Sequence, residues 1–319
     1  MLITTLHETT FEYDSPIRGT FTEARLWPVS DNWQTCHQFS LSVDPLRPLA
    51  ESRDYYGNMV LNFNIMPPHR RVVVTGHSVV ETHRNPFAPR PLLAEFETRR
   101  AHLDYLGFDG PVECVPELQE LANTVGLNQG IVQAQRMSQS QTMGTMMQRQ
   151  SLGTDLFEAV QALNTLIYEH FTYAPMSTHV HTKISEVFTG GKGVCQDFAH
   201  VFIAVCRWVG LPARYVSGYL VTGRSRSAAG ASASHAWAEV LLPGDGWYEF
   251  DPTNNLLAND YYIKLAMGRD YRDVPPTRGV YNGRGIQSHL SVRVHTIVED
   301  DDIGGTREEG RVAAHELVG

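Results

Sequence analysis

Residues 190–220 read GGKGVCQDFAHVFIAVCRWVGLPARYVSGYL, and the first few of them are built to make a cysteine reactive. A glycine-rich approach (Gly190, Gly191, Gly193) delivers Cys195 to the start of an apolar helical run that stops at Gly210 and Pro212, the signals expected of a helix C-terminus. Cys195 is therefore expected in the first turn, where unpaired backbone N–H groups and the positive end of the helix dipole favour the thiolate. Cys206, deep in the same run beside Val205, reads instead as a small core residue. A thiolate nucleophile needs a proton shuttle. Downstream stand Ser234-His235-Ala236-Trp237-Ala238-Glu239 and, after a turn, Trp247-Tyr248-Glu249-Phe250-Asp251-Pro252-Thr253. The order Cys195, His235, Asp251 supplies a nucleophile, a base and a group to orient it.

The hairpin pattern brings the last two together. Ala236, Ala238, Val240 and Leu242 form one apolar face of a strand, with His235, Trp237 and Glu239 on the other; after Pro243-Gly244-Asp245-Gly246, Tyr248 and Phe250 oppose Trp247, Glu249 and Asp251. Strands that share a core keep like faces together. A three- or five-residue loop then sets Asp251 diagonal to, or directly opposite, His235 on one face. Glu239 and Glu249 share that face but lie farther into the hairpin.

Gly193-Val194-Cys195-Gln196-Asp197-Phe198-Ala199, Gly210-Leu211-Pro212-Ala213-Arg214-Tyr215-Val216-Ser217-Gly218-Tyr219, His235-Ala236-Trp237 and Asp251-Pro252-Thr253 together resemble the transglutaminase-like superfamily of papain-type cysteine enzymes, in its bacterial form with an extra N-terminal domain. Weaker resemblance extends to Asp54-Tyr55-Tyr56-Gly57-Asn58 and to 269–276. The resemblance implies an α+β fold: an N-terminal antiparallel β domain, then a papain-like core in which the helix bearing the cysteine packs on an antiparallel sheet bearing the histidine and aspartate. It also implies an oxyanion donor upstream of the cysteine, for which Tyr173 is the candidate; Gln196, next to the nucleophile, is a weaker one.

A chain of 319 residues with 42% hydrophobic content has room for one large or two ordinary cores. With 26 basic against 35 acidic residues, a formal charge of −9 and no basic stripe, nucleic acid is not an expected partner. No apolar run approaches a membrane span and the N-terminus lacks the pattern of a signal peptide, so no membrane partner and a cytoplasmic location are expected. Four cysteines without C-x-x-C spacing suit neither a disulfide framework nor a zinc site. His179 and His181 lack a convergent third ligand, and Gly190-Gly191-Lys192-Gly193 lacks the spacing of a phosphate loop. No cofactor and no metal are expected.

Alternation predicts strands over 2–13, 20–26, 35–43, 59–66 and 71–81, with turns at Asp14-Ser15-Pro16, Tyr56-Gly57-Asn58 and Pro67-Pro68. The domain reading is 1–90 for the β domain and 91–153 for a connecting segment that includes a short helix from Pro116 to Val125 and a Gln- and Met-rich stretch. The core takes 154–298, including a last strand at 290–298, and an acidic, flexible tail takes 299–319. Thr154-Asp155 is positioned to cap a helix whose Leu156, Val160, Leu163, Ile167 and Phe171 recur at helical intervals. The Ser-, Ala- and Gly-rich 223–234 precedes the presumed base and is placed to gate substrate.

The expected chemistry is amide cleavage on a protein or peptide substrate. Cys195 attacks the carbonyl, His235 moves the proton, Asp251 holds the imidazole, and a thioester forms on the way. Water as acceptor gives a peptidase or amidase, the favoured reading; an amine gives a transglutaminase. A binding or scaffold module of the same fold is the reading from another class, disfavoured because all three residues are present. The natural substrate and the oligomeric state are left open.

Overall fold

A computed structural model describes residues 1–84, 102–127, 146–221, 234–242, 246–282, 286–299 and 315–317. The strands are β1 (Leu2–Ala24), β2 (Gln34–Asp44), β3 (Ala50–Arg53), β4 (Met59–Ile65), β5 (His69–Thr82), β6 (Thr172–Tyr173), β7 (Lys192–Gly193), β8 (Ala213–Leu220), β9 (Ser234–Leu242), β10 (Gly246–Asp251), β11 (Leu256–Leu257), β12 (Tyr262–Gly268), β13 (Thr277–Asn282), β14 (Ser288–Glu299) and β15 (His315–Leu317). The α-helices are α1 (Glu117–Thr124), α2 (Met146–His170), α3 (Ile184–Gly190) and α4 (Cys195–Trp208). The fold is α+β, with an N-terminal antiparallel sheet and a core of helices packed on a second antiparallel sheet.

The core is layered. Helix α4 is buried all round: every residue from Gln196 to Arg207 is buried, the polar Gln196, Asp197, His200 and Arg207 among them, as in a central helix. Gly210, at a φ of 85°, ends it: Leu211 N–H reaches back to the Cys206 carbonyl at 2.9 Å, closing a Schellman motif. The buried guanidinium of Arg207 donates to the carbonyls of Ala213, Gly107 and Arg269, fixing where the chain leaves the helix. Leu156, Val160, Leu163, Ile167 and Phe171 are buried in one cluster with α4 and with Ala236, Ala238, Val240, Leu242 and Phe250. The helices thus cover one face of an antiparallel sheet ordered β11-β10-β9-β8-β12.

The N-terminal sheet covers the other face. Tyr219, Val221, Ile263 and Leu265 of the core are buried together with Ile3, Ile17, Leu26, Val74 and Val80. β12 is an edge strand, and its free backbone groups are taken by two amide side chains from the N-terminal domain. Gln34 accepts from Lys264 N–H at 2.8 Å and donates to its carbonyl at 2.9 Å; Asn58 does the same to Met267, at 2.8 and 2.7 Å. This gives the Asp54–Asn58 turn its job, with Asp54 Oδ1 accepting from the N–H groups of Tyr56 and Asn58 to hold the turn's shape.

Four expectations need correction. Asp14-Ser15-Pro16 does not reverse the chain: β1 runs through it, and the ladder with β5 shifts register between Glu12 and Ile17, where Pro16 has no ladder bond to lose. Thr154-Asp155 does not cap a helix, because α2 begins at Met146 and passes through it. The 290–298 strand does not belong to the core sheet: β14 pairs with β1 along Leu2–Tyr13, and β13 pairs with the second half of β1. β3, which alternation did not predict, pairs with β4. The stretch 133–145 and the loop 223–233 lie outside the described residues, as does the tail apart from β15. Among the described residues no helix is long and apolar enough to cross a membrane.

Candidate active site

Cys195 opens α4, as the glycine approach and apolar run require, and its side chain is partly exposed while Cys206 is buried. Gly193 is obligatory here. A Cβ on it would lie 2.9 Å from Asp197 Oδ2, the oxygen that caps the helix by accepting from Val194 N–H at 2.8 Å and from the Thr178 hydroxyl at 2.6 Å. The helix dipole favours a thiolate at Cys195, but this carboxylate, which the sequence pattern did not single out, stands at the same helix end. Asp197 sets a negative group against the same N-terminus and offsets part of the dipole. Its burial pushes its own pKa up despite the Thr178 and Val194 bonds.

The β9–β10 hairpin is joined by the three-residue connection 243–245, with Glu249 opposite Glu239 and Phe250 opposite Ala238. In that register Asp251 is diagonal to His235 on a shared face. His235 Nε2–H donates to Asp251 Oδ2 at 2.7 Å, and both groups are buried. The Asn254 amide also lies 3.4 Å from Nε2, and Cys195 is a further side-chain partner of the imidazole, with Nδ1 left for the sulfur. Burial alone would depress the pKa of His235, but the charge and hydrogen bond of Asp251, together with Cys195, push it up to about 10. Asp251 answers in the opposite sense: burial would raise its pKa, and His235 with its other donors holds it below the usual carboxylate range.

Those other donors were not found from the sequence. The Asn254 amide and the Tyr262 hydroxyl both donate to Asp251 Oδ2 at 2.7 Å, while Thr253 N–H reaches Oδ1 at 2.9 Å. Thr253 and Asn254 follow the aspartate in an Asx-type turn, a local pattern a closer reading of Asp251-Pro252-Thr253-Asn254 could have caught. Tyr262 arrives from β12, two strands beyond β9, and nothing local announces it. Trp237 lies between these groups, its ring 6.2 Å from His235 and 5.3 Å from Tyr262. Gly218, opposite His235, leaves room for that ring: a Cβ there would be 2.4 Å from it and 2.1 Å from the Ile263 carbonyl.

Glu239 and Glu249 do not contact His235. Facing one another across the hairpin, they would repel if alone. Lys264 bridges them, at 3.0 Å from Glu249; Arg214 pairs with Glu239, and Arg84 donates to Glu249 at 2.9 Å. Burial favours the neutral form of Glu239, but Arg214 and Lys264 drive its pKa well below the usual range.

Tyr173 sits on β6, 37% exposed and edge-on to Phe198 at 6.4 Å. Burial, then the charges of Cys195 and Asp251, push its hydroxyl up to about 12, which keeps it a neutral donor beside the thiol. Gln196 turns away: its side-chain amide donates to the Val180 carbonyl at 3.2 Å and so ties down the loop before α3. His179 and His181 are 6.4 Å apart, and His179 Nδ1 is engaged by Thr182. Among the described residues no group of three or more His, Cys, Asp or Glu side chains could hold a metal.

Comparison with known proteins agrees with this architecture. Residues 145–252 match the profile of the transglutaminase-like superfamily, and residues 3–81 match that of the bacterial transglutaminase-like N-terminal region. An uncharacterized protein of Mycobacterium tuberculosis is 32% identical over 308 residues, covering 93% of this chain and 92% of its own. This chain belongs to the transglutaminase-like superfamily. A second uncharacterized relative, from Mycobacterium leprae, is 33% identical over 284 residues, 88% of this chain and 93% of its own. A protein-glutamine gamma-glutamyltransferase of Pseudomonas aeruginosa is 33% identical over 89 residues, covering 26% of this chain and 13% of its own. In fold, a crystal structure from Cytophaga hutchinsonii, provisionally named a cysteine protease, superposes with a TM-score of 0.68 at 19% identity, covering 94% of this chain and 92% of its own.

Proposed function

We propose that this protein is a thiol-dependent amide hydrolase of protein or peptide substrates, in which Cys195 is the nucleophile, His235 the proton shuttle and Asp251 its orienter. The observation that carries this reading is the imidazole of His235, buried between Asp251 on one side and the partly exposed Cys195 on the other. An imidazolium held by a carboxylate stabilises a neighbouring thiolate without needing the helix dipole alone to do so. The thiolate adds to the amide carbon. The resulting oxyanion is received by the Cys195 N–H and the neutral Tyr173 hydroxyl. On collapse the C–N bond breaks, the imidazolium proton passes to the departing amine, and a thioester remains. Water then gives its proton to His235, adds to the thioester carbon, and the acid leaves as the thiolate is restored. All four cysteines are free, which suits a reducing, cytoplasmic setting.

The local likeness to a protein-glutamine gamma-glutamyltransferase supports a second reading, in which an amine replaces that water. A peptide panel incubated with and without an abundant lysine analogue separates the two. We expect free acid as the main product in both conditions and none from Cys195→Ala. Dominant amine incorporation would make the enzyme a transglutaminase, and no thioester with any amide tested would favour a scaffold role.

A further inference from the structure

The N-terminal domain reaches the candidate active site by two routes, both starting where β5 ends. On the first, the Thr82 hydroxyl donates to the Asp260 carbonyl at 2.8 Å and the Arg84 N–H donates to the Asp260 carboxylate. Asp260 leads directly into β12, whose first residue, Tyr262, delivers its hydroxyl to the Asp251 oxygen that also receives His235. On the second, the buried guanidinium of Arg84 donates to Glu249 Oε2, and that same oxygen accepts from Trp237 Nε1–H at 3.0 Å, setting the indole that stacks on His235. Arg84 also donates to Gln34, the side chain that clasps Lys264 two residues past Tyr262. Core groups hold the same two points, Lys264 at 3.0 Å from Glu249 and β8 paired with the start of β12, and the N-terminal groups add a second set of bonds to each.

We propose that Thr82 and Arg84 are positioning residues for the His235–Asp251 pair, acting through Tyr262 and Trp237, so that the N-terminal domain is a working part of the active site. This rests on the assignment of His235 and Asp251 made above. The Tyr262 hydroxyl shares the Oδ2 charge that would otherwise fall on the imidazolium, so its placement sets how strongly Asp251 holds the proton on His235. The ionisable groups around that imidazole are Cys195 from α4, Asp251 from β10 and Tyr262 from β12, with Tyr173 on β6 and Tyr215 on β8 near Cys195 and with Glu249 and Arg84 beyond the Trp237 ring.

The test uses the full chain and iodoacetate, an anion whose reaction with Cys195 is fast only while a thiolate and an imidazolium stand side by side. The rate against pH should be bell-shaped, its alkaline limb reporting His235. Tyr262→Phe should move that limb upward by about half a pH unit or more. Thr82→Val should move it the same way by less, and the double variant should move no farther than Tyr262→Phe, because the two act in series. Arg84→Gln should lower the neutral-pH rate several-fold, with Arg84→Lys restoring most of it. Limbs unmoved in variants that merely melt earlier would reduce these residues to structural supports and overturn the proposal. If Tyr262→Phe does not fold, an unmoved limb in Thr82→Val overturns it. The underlying assignment fails differently: wild-type labelling that prefers Cys36 or Cys114, or that lacks an alkaline fall, overturns the nucleophile reading and this proposal with it.

Discussion

At the scale of single residues, the decisive competition is at His235, where burial opposes the imidazolium and Asp251 with Cys195 outweighs it. The direction fixes a pH dependence. A histidine raised from 6.5 to about 10 contributes stability that is fully present below 6.5 and is lost as pH climbs through 10. Asp251, depressed, contributes above its unfolded value and loses that contribution on acidification. The melting temperature should therefore fall between pH 6.5 and 10, and His235→Asn should abolish most of that slope; a wild type with a flat alkaline profile would refute the ion-pair account. Asp251→Asn keeps the shape of the site but removes the charge, so turnover should drop by about 100-fold or more and the alkaline limit of activity should move down toward an ordinary histidine. Asp197 works the other way. Its carboxylate sits at the same helix end as Cys195, so Asp197→Asn, which retains an oxygen for Val194 N–H, should speed alkylation of Cys195 in mildly acidic buffer.

At the scale of elements, the β8–β9–β10–β12 arrangement depends on close approach at Gly218. A methyl group there meets the Ile263 carbonyl and the Trp237 ring, neither of which can step aside without moving a strand. Gly218→Ala should cost about 3 kcal/mol in urea unfolding, with the midpoint shifted and the slope retained. How much of the site was legible follows from how local its determinants are. Helix α4 announces itself by a largely apolar run ending in Gly210-Leu211-Pro212, and the hairpin by two alternating runs whose faces admit few registers. The pairing of β14 with β1 joins opposite ends of the chain, and Tyr262, though near Asp251 in sequence, comes from β12 at the edge of the sheet; no periodicity encodes either partner. Asp14-Ser15-Pro16 and Thr154-Asp155 misled for a related reason: turn and cap residues are permissive signals, and strand pairing or helix propagation on either side overrode them.

At the scale of the whole molecule, the two sheets are fastened by more than the chain between them. β1 takes β13 and β14 from the far end of the sequence into the N-terminal sheet, while Gln34 and Asn58 satisfy the open edge of β12 as a neighbouring strand would. Truncating Asn58 strands the N–H and the carbonyl of Met267, and truncating Gln34 strands the N–H of Lys264, whose carbonyl keeps a bond from Val29 N–H at 3.1 Å. A buried donor or acceptor left unpaired costs about 1–3 kcal/mol, so Asn58→Ala should lower stability by more than an ordinary surface change, and Gln34→Ala likewise. Because the bonds lie across the boundary between sheets, their loss should also weaken coupling. Wild-type protein is expected to unfold in one calorimetric transition, with van't Hoff and calorimetric enthalpies in agreement. The Gln34→Ala, Asn58→Ala double variant should broaden or split that transition, the reactivity of Cys195 fading with the earlier component, because the support of Asp251 by β12 and the edge of β12 itself fail together. A double variant that still melts in a single sharp step, merely at lower temperature, would show that the shared apolar core of Tyr219, Ile263, Leu26 and Val80 couples the sheets without the amide clasps.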